Sequence, residues 1–328
     1  MGLSSPADLP PDSLSMVEKN PRRGIGPLVF ANILVVLALI AQWLHAALTG
    51  DMAFRGHAIG LDFVNTWLGA KLTLAGDVSP LFDFEAYNRL LKEIFNAHFP
   101  NHMWSYPPHL LPLVAPLGAL PYPLAYAVWC LGTWLLFLCG SRALGFRGAD
   151  LLLLATSPAV TMNIVVGQTG ALTAGCLTLA LAYSARRPIL AGIAVALLTV
   201  KPQFGLLVPI EWLLRRRFLA IAVGTVVTLA LIGLSLIVPG IVAWQGFFDV
   251  TMPTMRAVMQ SSELAAAKVM QPNWASGLQL IGLPYGAAMA FQSVVSLVLV
   301  GWWLRISWKM RAVAGDRMRQ ALILMASA

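Results

Sequence analysis

Charged residues are scarce in this chain of 328 residues: they make up 11% of it, and only 14 residues are acidic. A soluble domain carries about 25% charged and about 45–50% apolar residues, whereas 58% of this sequence is hydrophobic. The apolar residues also come in runs long enough to cross a bilayer. These proportions argue against a soluble globular protein and predict an all-α, polytopic transmembrane helical bundle.

The chain also contains few cysteines. The three cysteines lie inside apolar segments without metal-ligand spacing, which argues against a disulfide framework or a zinc site. The phosphate loop GxxxxGK[ST], the dinucleotide motif GxGxxG and the zinc-protease motif HExxH are missing as well. These absences argue against an ATP-driven pump or a zinc protease, and we expect no cofactor. A divalent metal bound through Asp62 is compatible with the sequence but is not required by it.

Positive charge exceeds negative charge, and the formal net charge is +8. The basic residues sit between apolar runs, so we interpret them as topology signals that contact membrane lipids, and we expect no nucleic-acid partner. If all the basic clusters face the cytoplasm, the protein lies in the cell (inner) membrane with a cytoplasmic N-terminus. The clusters are Lys19/Arg22/Arg23, Arg142/Arg147, Arg186/Arg187, Arg215/Arg216/Arg217 and Arg305/Lys309/Arg311/Arg317/Arg319.

The charge pattern divides the chain into a short tail and a membrane domain. Residues 1–27 are polar and rich in proline and serine, which predicts a disordered cytoplasmic tail. Residues 28–328 form the predicted transmembrane domain. Its first span is predicted over 28–48 and its second over 122–138, so residues 51–121 become a first outer loop.

The first outer loop is the most polar part of the chain and carries four of the five histidines. Apart from His109, we interpret these histidines as solvated. The stretch 109–120 is apolar, but it is too short and too rich in proline to cross the membrane. It predicts a juxtamembrane helix on the outer leaflet.

Two helical hairpins follow the second span. Residues 151–166 and 171–183 predict the first hairpin, which turns at Gly167-Gln168-Thr169-Gly170. The second hairpin is predicted because a single span after Arg187 would bury Lys201 near the bilayer centre, at a cost of about 2.5–3.5 kcal/mol. A proline directly after this lysine interrupts the backbone, so we place the bend there.

The last predicted spans cover 218–238 and 277–303, with a second outer loop over 239–276. The chain stops early in another apolar stretch, so we expect further helices of the bundle beyond residue 328. Three tryptophans near the end of the last span are expected in an interfacial aromatic belt: Trp302, Trp303 and Trp308.

Polar residues at the tips of four segments meet on the outer face in this topology. They supply the candidate catalytic residue Asp62 and the candidate substrate-binding residues Tyr106, His109, Gln168, Lys201 and Gln203. Each also has an ordinary interpretation: a solvated loop acid, a proline-rich helix boundary, a turn glutamine, or a lysine that reaches the outer headgroups.

Together these side chains suggest one chemistry. A carboxylate can act as general base on a hydroxyl, and a lysine at headgroup level can hold a phosphate as a point charge. A glutamine can orient a sugar hydroxyl. This set is suited to moving a sugar from a lipid phosphate to an acceptor.

The order of short motifs resembles glycosyltransferase family 87, a family of polyprenol-phosphate-dependent GT-C enzymes that includes phosphatidylinositol-mannoside mannosyltransferases. The likeness extends from about residue 58 to residue 217, and each motif alone is weak. The motifs are Leu61-Asp62-Phe63…Trp67…Ala70, Gly76…Pro80-Leu81-Phe82, Tyr106-Pro107-Pro108…Pro116-Leu117…Leu120-Pro121…Ala125-Tyr126…Trp129, Ser157-Pro158…Gly167-Gln168 and Ala191-Gly192…Lys201-Pro202-Gln203.

The resemblance implies an inverting hexosyltransferase on the outer face, with mannose as the expected sugar. It implies that Asp62 serves as general base and that a polyprenyl-phosphate donor meets polar residues near the helix tips, where Gln168 and Lys201 match motif positions. The acceptor would be a lipid or a glycan.

This chain departs from the family pattern at Phe63-Val64-Asn65-Thr66, where an acid or a tyrosine-rich pattern is usual, and matches it only weakly at Asn273-Trp274-Ala275-Ser276. Two other interpretations stay open: a membrane transporter or lipid flippase, and a truncated inactive homologue.

Overall fold

The computed structural model describes residues 25–49, 53–54, 57–58, 60–261 and 273–309. These residues are mostly helical, which confirms the all-α prediction. Within them, strand structure is confined to a hairpin of two residues on each side, in which Ala53–Phe54 pairs with His57–Ala58. Residues 1–24 of the predicted disordered tail and the last apolar stretch lie outside the described residues. The predicted tail is too long, because the first helix already begins at Ile25.

The helices follow one another through short turns. In chain order they are α1 (Ile25–Thr49), α2 (Phe63–Ala75), α3 (Phe84–Ile94), α4 (Leu110–Val114), α5 (Tyr122–Leu144), α6 (Gly148–Ala155), α7 (Pro158–Val166), α8 (Gly170–Tyr183), α9 (Pro188–Leu198), α10 (Leu207–Leu214), α11 (Phe218–Ile237), α12 (Gly240–Gly246), α13 (Met252–Gln260), α14 (Trp274–Leu280) and α15 (Tyr285–Lys309). Short 3₁₀ segments cover Ser79–Phe82, Ala115–Ala119 and Pro202–Phe204, and a π-helical turn covers Phe247–Thr251.

Four segments of the described residues are long and apolar enough to cross a membrane: α5, α6 together with α7, α11 and α15. The predicted spans over 28–48, 122–138 and 218–238 are confirmed as helices, and both predicted hairpins bend where expected. The protein is thus a polytopic membrane protein. Which side each loop faces stays a prediction from the charge pattern.

Small residues let the central helices approach closely. A side chain at Gly140 of α5 would lie 2.0 Å from the Thr178 hydroxyl of α8, and one at Gly175 would lie 2.8 Å from the backbone of Phe137. Gly192 of α9 makes a similar close contact with α11 at Val223. Such contacts stabilise helix pairs in lipid, where the solvent supplies no hydrophobic drive between helices. They fix α5, α8, α9 and α11 as the frame behind the candidate site.

The predicted outer loop folds into a compact cap, which we define as residues 60–121. Its core buries one face of α2 with α3 and α4, through Trp67, Leu91 and Leu111. The Trp67 indole N–H donates to the carbonyl of Leu120 at 3.0 Å. The stretch 109–120 is helical, as predicted.

The last predicted span begins too early. Residues 277–303 are not one helix, because α14 ends at Leu280 and α15 begins at Tyr285. Gly282 lies between them in a left-handed conformation with φ +96°, and Pro284 precedes α15. A left-handed glycine followed by a proline ends one helix and starts another.

The outward half of the first hairpin is also interrupted. α6 ends at Ala155, and α7 begins at Pro158 after Ser157, whose hydroxyl accepts a hydrogen bond from the N–H of Val160 at 3.4 Å. Serine followed by proline strongly favours the start of a new helix. The apolar run over 151–166 is therefore divided between two helices.

The interfacial interpretation of Trp303 is wrong. Its side chain is 0% exposed and packs in a core cluster with Trp212 and Leu198, whereas Trp302 and Trp308 are 50% and 56% exposed. Hydropathy marks the end of a span, but it does not tell which tryptophan faces the neighbouring helices.

Candidate functional site

Asp62 lies where the cap meets the end of α7. Its backbone N–H donates to the carbonyl of Val166 at 2.9 Å, and the N–H of Gly60 donates to Val165 at 3.2 Å. Asp62 is also the N-cap residue of α2, but its carboxylate does not cap that helix. The half-buried carboxylate is therefore free to face groups from other segments.

The residue after Asp62 anchors it to an aromatic cluster, which we call the aromatic platform. The Phe63 ring is buried against the rings of Tyr122, Tyr126 and Trp129, with centroid distances of 5.6, 5.7 and 6.0 Å. Each such pair contributes about 0.5–1.5 kcal/mol beyond area burial. The indole N–H of Trp129 donates to the carbonyl of Gly167 at 3.2 Å. The platform thereby joins Asp62 to the turn that carries Gln168.

Gln168 follows the C-terminus of α7, which ends in a left-handed glycine. Gly167 has φ +68°, and the N–H of Gln168 donates to the carbonyl of Asn163 at 3.0 Å. This is a Schellman-type helix ending, which turns the chain sharply, so Gln168 leaves the direction of the α7 axis. The Gln168 amide N–H₂ donates a short hydrogen bond to Oδ2 of Asp62.

Gly167 has no room for a side chain. A Cβ there would lie 2.5 Å from Cβ of Phe63 and 3.2 Å from Tyr126. We expect Gly167→Ala to destabilise the protein, because a left-handed alanine costs about 1–2 kcal/mol and overpacking costs about 1–3 kcal/mol. Thermal unfolding in detergent should show a clear fall in Tm.

Gly233 supplies the matched control for this prediction. It lies inside α11, and a Cβ there would meet nothing within 4 Å. Alanine is favoured over glycine in a helix by about 1 kcal/mol, so Gly233→Ala should leave Tm unchanged or raise it. Equal losses in both variants would contradict the crowding argument.

Lys201 enters the same site from the bend between α9 and α10. Its ammonium Nζ donates to Oε1 of Gln168 at 3.5 Å and lies 5.7 Å from the centre of the Tyr106 ring. Burial in the bend lowers the pKa of Lys201, and the neighbouring Asp62 charge partly offsets this effect. The Gln168 amide therefore links a carboxylate on one side to an ammonium group on the other.

Tyr106 is buried beside Lys201 and near Asp62. Its ring packs edge-on against Trp104 at 5.5 Å, and burial, with a smaller effect from the Asp62 charge, raises its pKa to about 12. The hydroxyl therefore keeps its proton at neutral pH and can only act as a neutral hydrogen-bonding group.

The remaining two predicted residues lie beside the bend. Nε2 of His109 is 3.1 Å from the Thr199 hydroxyl, and its ring stacks on Trp244 at 6.2 Å. Burial lowers the pKa of His109, and the Thr199 backbone partly offsets this. Gln203 is exposed on the 3₁₀ turn that follows Lys201. The roles of His109 and Gln203 in substrate binding stay predictions.

One residue at this site was not predicted from the sequence. His102, interpreted as a solvated histidine, places Nε2 3.1 Å from the carbonyl of Leu61, directly before Asp62. His102 and Leu61 are far apart in the chain, so no local sequence pattern predicts that they are in contact. A histidine in a loop that also carries the candidate base was the available signal.

The site offers no cluster of metal ligands within the part of the chain that the structure describes: no three His, Cys, Asp or Glu side chains group there. Its chemical resources are one carboxylate, one ammonium group and one amide between them. This arrangement can accept a proton and bind an anionic group a short distance away.

The family model for glycosyltransferase family 87 matches residues 104–328, more than half of the chain. The matched region contains Tyr106, His109, Gln168, Lys201 and Gln203, whereas the predicted base precedes it. No curated protein and no solved structure matches the chain. A match of this extent, on a polytopic helical fold, shows that the chain belongs to glycosyltransferase family 87.

Proposed function

We propose that the chain is an inverting hexosyltransferase that moves mannose from a polyprenyl phosphate to a hydroxyl of a lipid or glycan acceptor on the outer face of the membrane. One observation carries this proposal: Asp62, Gln168 and Lys201 come from three separate segments and form one hydrogen-bonded chain. Family membership supports glycosyl transfer, and the side chains suggest how it occurs.

In the proposed step the acceptor hydroxyl loses its proton to Asp62. The freed oxygen attacks the anomeric carbon, and the bond from that carbon to the phosphate oxygen breaks on the opposite face, which inverts the configuration. The electron pair of that bond leaves with the polyprenyl phosphate. Because Gln168 occupies Oδ2 of Asp62, the other carboxylate oxygen is the one that takes the proton.

Lys201 is the proposed contact for the donor phosphate. Its bend joins two short apolar helices, α9 and α10, which supports the proposal that a membrane-anchored phosphate reaches the ammonium group. An ammonium is a compact point charge that attracts phosphate without demanding one orientation. As charge builds on the leaving phosphate, this attraction strengthens, and the transition state gains more than the bound donor does.

The three other predicted residues have supporting roles in this proposal. The Tyr106 hydroxyl, protonated at neutral pH, closes the site beneath Lys201. His109 holds the bend through Thr199, and exposed Gln203 is placed to contact the donor headgroup. Mannose and the outer face rest on the family resemblance and on the charge pattern.

The test is a transfer assay with purified protein in lipid nanodiscs. Radiolabelled mannosyl polyprenyl phosphate is supplied with a lipid extract as acceptor, and products are separated by chromatography. We expect label to move from the donor to an acceptor with inverted configuration. In sealed vesicles, label that crosses the membrane with the donor bond intact, and no transfer in nanodiscs, would instead establish a flippase.

A further inference from the structure

The peptide group that precedes Asp62 is held at both of its edges. Its N–H, which belongs to Asp62, donates to the carbonyl of Val166 at 2.9 Å. Its C=O, which belongs to Leu61, faces Nε2 of His102 at 3.1 Å. A peptide group is planar and rigid, so two bonds at opposite edges fix the direction in which the Asp62 side chain leaves the backbone.

The chemistry of this contact defines the role of the imidazole. A carbonyl oxygen only accepts hydrogen bonds, so His102 donates to Leu61 in the tautomer that carries the proton on Nε2. The other ring nitrogen lies 2.9 Å from the carbonyl of Asn101, which is again an acceptor. Each ring nitrogen of His102 therefore faces a carbonyl acceptor.

His102 is itself held firmly by α3. The Asn88 side chain accepts from the N–H of His102 at 2.7 Å and donates to its carbonyl at 3.0 Å. The same amide N–H₂ donates to the carbonyl of Phe84 at 2.7 Å, and Asn88 is buried. Phe99 lies against the His102 ring at 5.5 Å. Asn88 of α3 thus holds the backbone of His102, and Phe99 packs against its ring.

We infer that His102 is a positioning residue for the general base: it fixes the Leu61–Asp62 peptide group and thereby aims the Asp62 carboxylate. This inference rests on the proposed function of Asp62. His102 touches neither the carboxylate nor the substrate in this role. Its removal takes away one of the two hydrogen bonds that hold this peptide group and leaves the one to Val166.

The test compares His102→Ala with His102→Gln and with His98→Ala, a control at an exposed histidine of the same segment. We expect His102→Ala to lower kcat about tenfold to a hundredfold, because small misplacements of a reacting group have effects of this size. The KM for the mannosyl donor should stay within about twofold, since the phosphate contact is untouched. His102→Gln should recover part of the loss, because its amide can donate to Leu61, and His98→Ala should match the wild type.

Hydrogen–deuterium exchange supplies a readout that does not depend on activity. Segment 60–66 should exchange faster in His102→Ala than in His98→Ala, while the rest of the described helices stay unchanged. Unchanged exchange together with a kcat equal to that of the control would overturn the inference. Global unfolding of both His102 variants would also overturn it, because it would show a structural role. A wild type without transfer activity would defeat the proposed function, and exchange would still decide whether His102 fixes this segment.

Discussion

Asp62→Asn should nearly abolish sugar transfer, lowering kcat by about 10²–10⁴-fold, which is the usual contribution of a general base. Asparagine keeps the shape of the side chain, and its oxygen can still accept the hydrogen bond from Gln168. It cannot take a proton from the acceptor hydroxyl. The loss should therefore appear in kcat, with little change in the KM of the donor, when initial rates are measured with the mannosyl donor.

Asp77→Asn is the control for this variant. Asp77 is an exposed acid of the same cap and accepts hydrogen bonds from the N–H and the hydroxyl of Ser79, at 2.9 and 2.7 Å. Its variant should transfer sugar at the wild-type rate. Full activity in Asp62→Asn would move the base elsewhere, and equal losses in both variants would point to a damaged cap.

Most of the helices could be predicted from the sequence because their signals are local. The apolar run of α11 is continuous over its 20 residues. The proline at the bend after Lys201 acts within one turn. The interruptions at Ser157 and Gly282 were missed because hydropathy averages over a window and is blind to single caps. Caps of this kind were present in the sequence and were outweighed by the apolar run.

The candidate site was only partly predictable. If all basic clusters face the cytoplasm, the segments that carry Asp62, Gln168 and Lys201 reach the outer face of the membrane. The structure brings these three side chains together. The amide link between them depends on the left-handed turn at Gly167, whose exact direction no pattern specifies. The contact of His102 with Leu61 depends on how α3 packs in the cap, which is tertiary information.

Lys201→Met should lower kcat/KM for the donor about 10²–10³-fold, the usual cost of removing one preorganised group that stabilises developing charge. Methionine keeps the length and the apolar stem but removes the ammonium group that faces Gln168. The KM of the donor should rise as well, because in the proposed step Lys201 also holds the phosphate of the bound donor. Lys92→Met, at an exposed lysine on α3, is the matched control and should behave as the wild type.

Lys201→Arg separates charge from geometry. Arginine keeps the positive charge but presents a planar fork in place of a compact point charge, so we expect partial recovery. Because burial lowers the pKa of Lys201, wild-type kcat/KM should fall on the alkaline side at a lower pH than an exposed lysine would cause. The guanidinium does not lose its proton in this range, so the alkaline fall should move to higher pH in Lys201→Arg. An alkaline fall at the same pH in both proteins would assign it to another group and leave Lys201 without the phosphate-binding role. Lys201→Met and Lys201→Arg together therefore measure how much the positive charge at this bend contributes to the proposed binding of a lipid-linked phosphate.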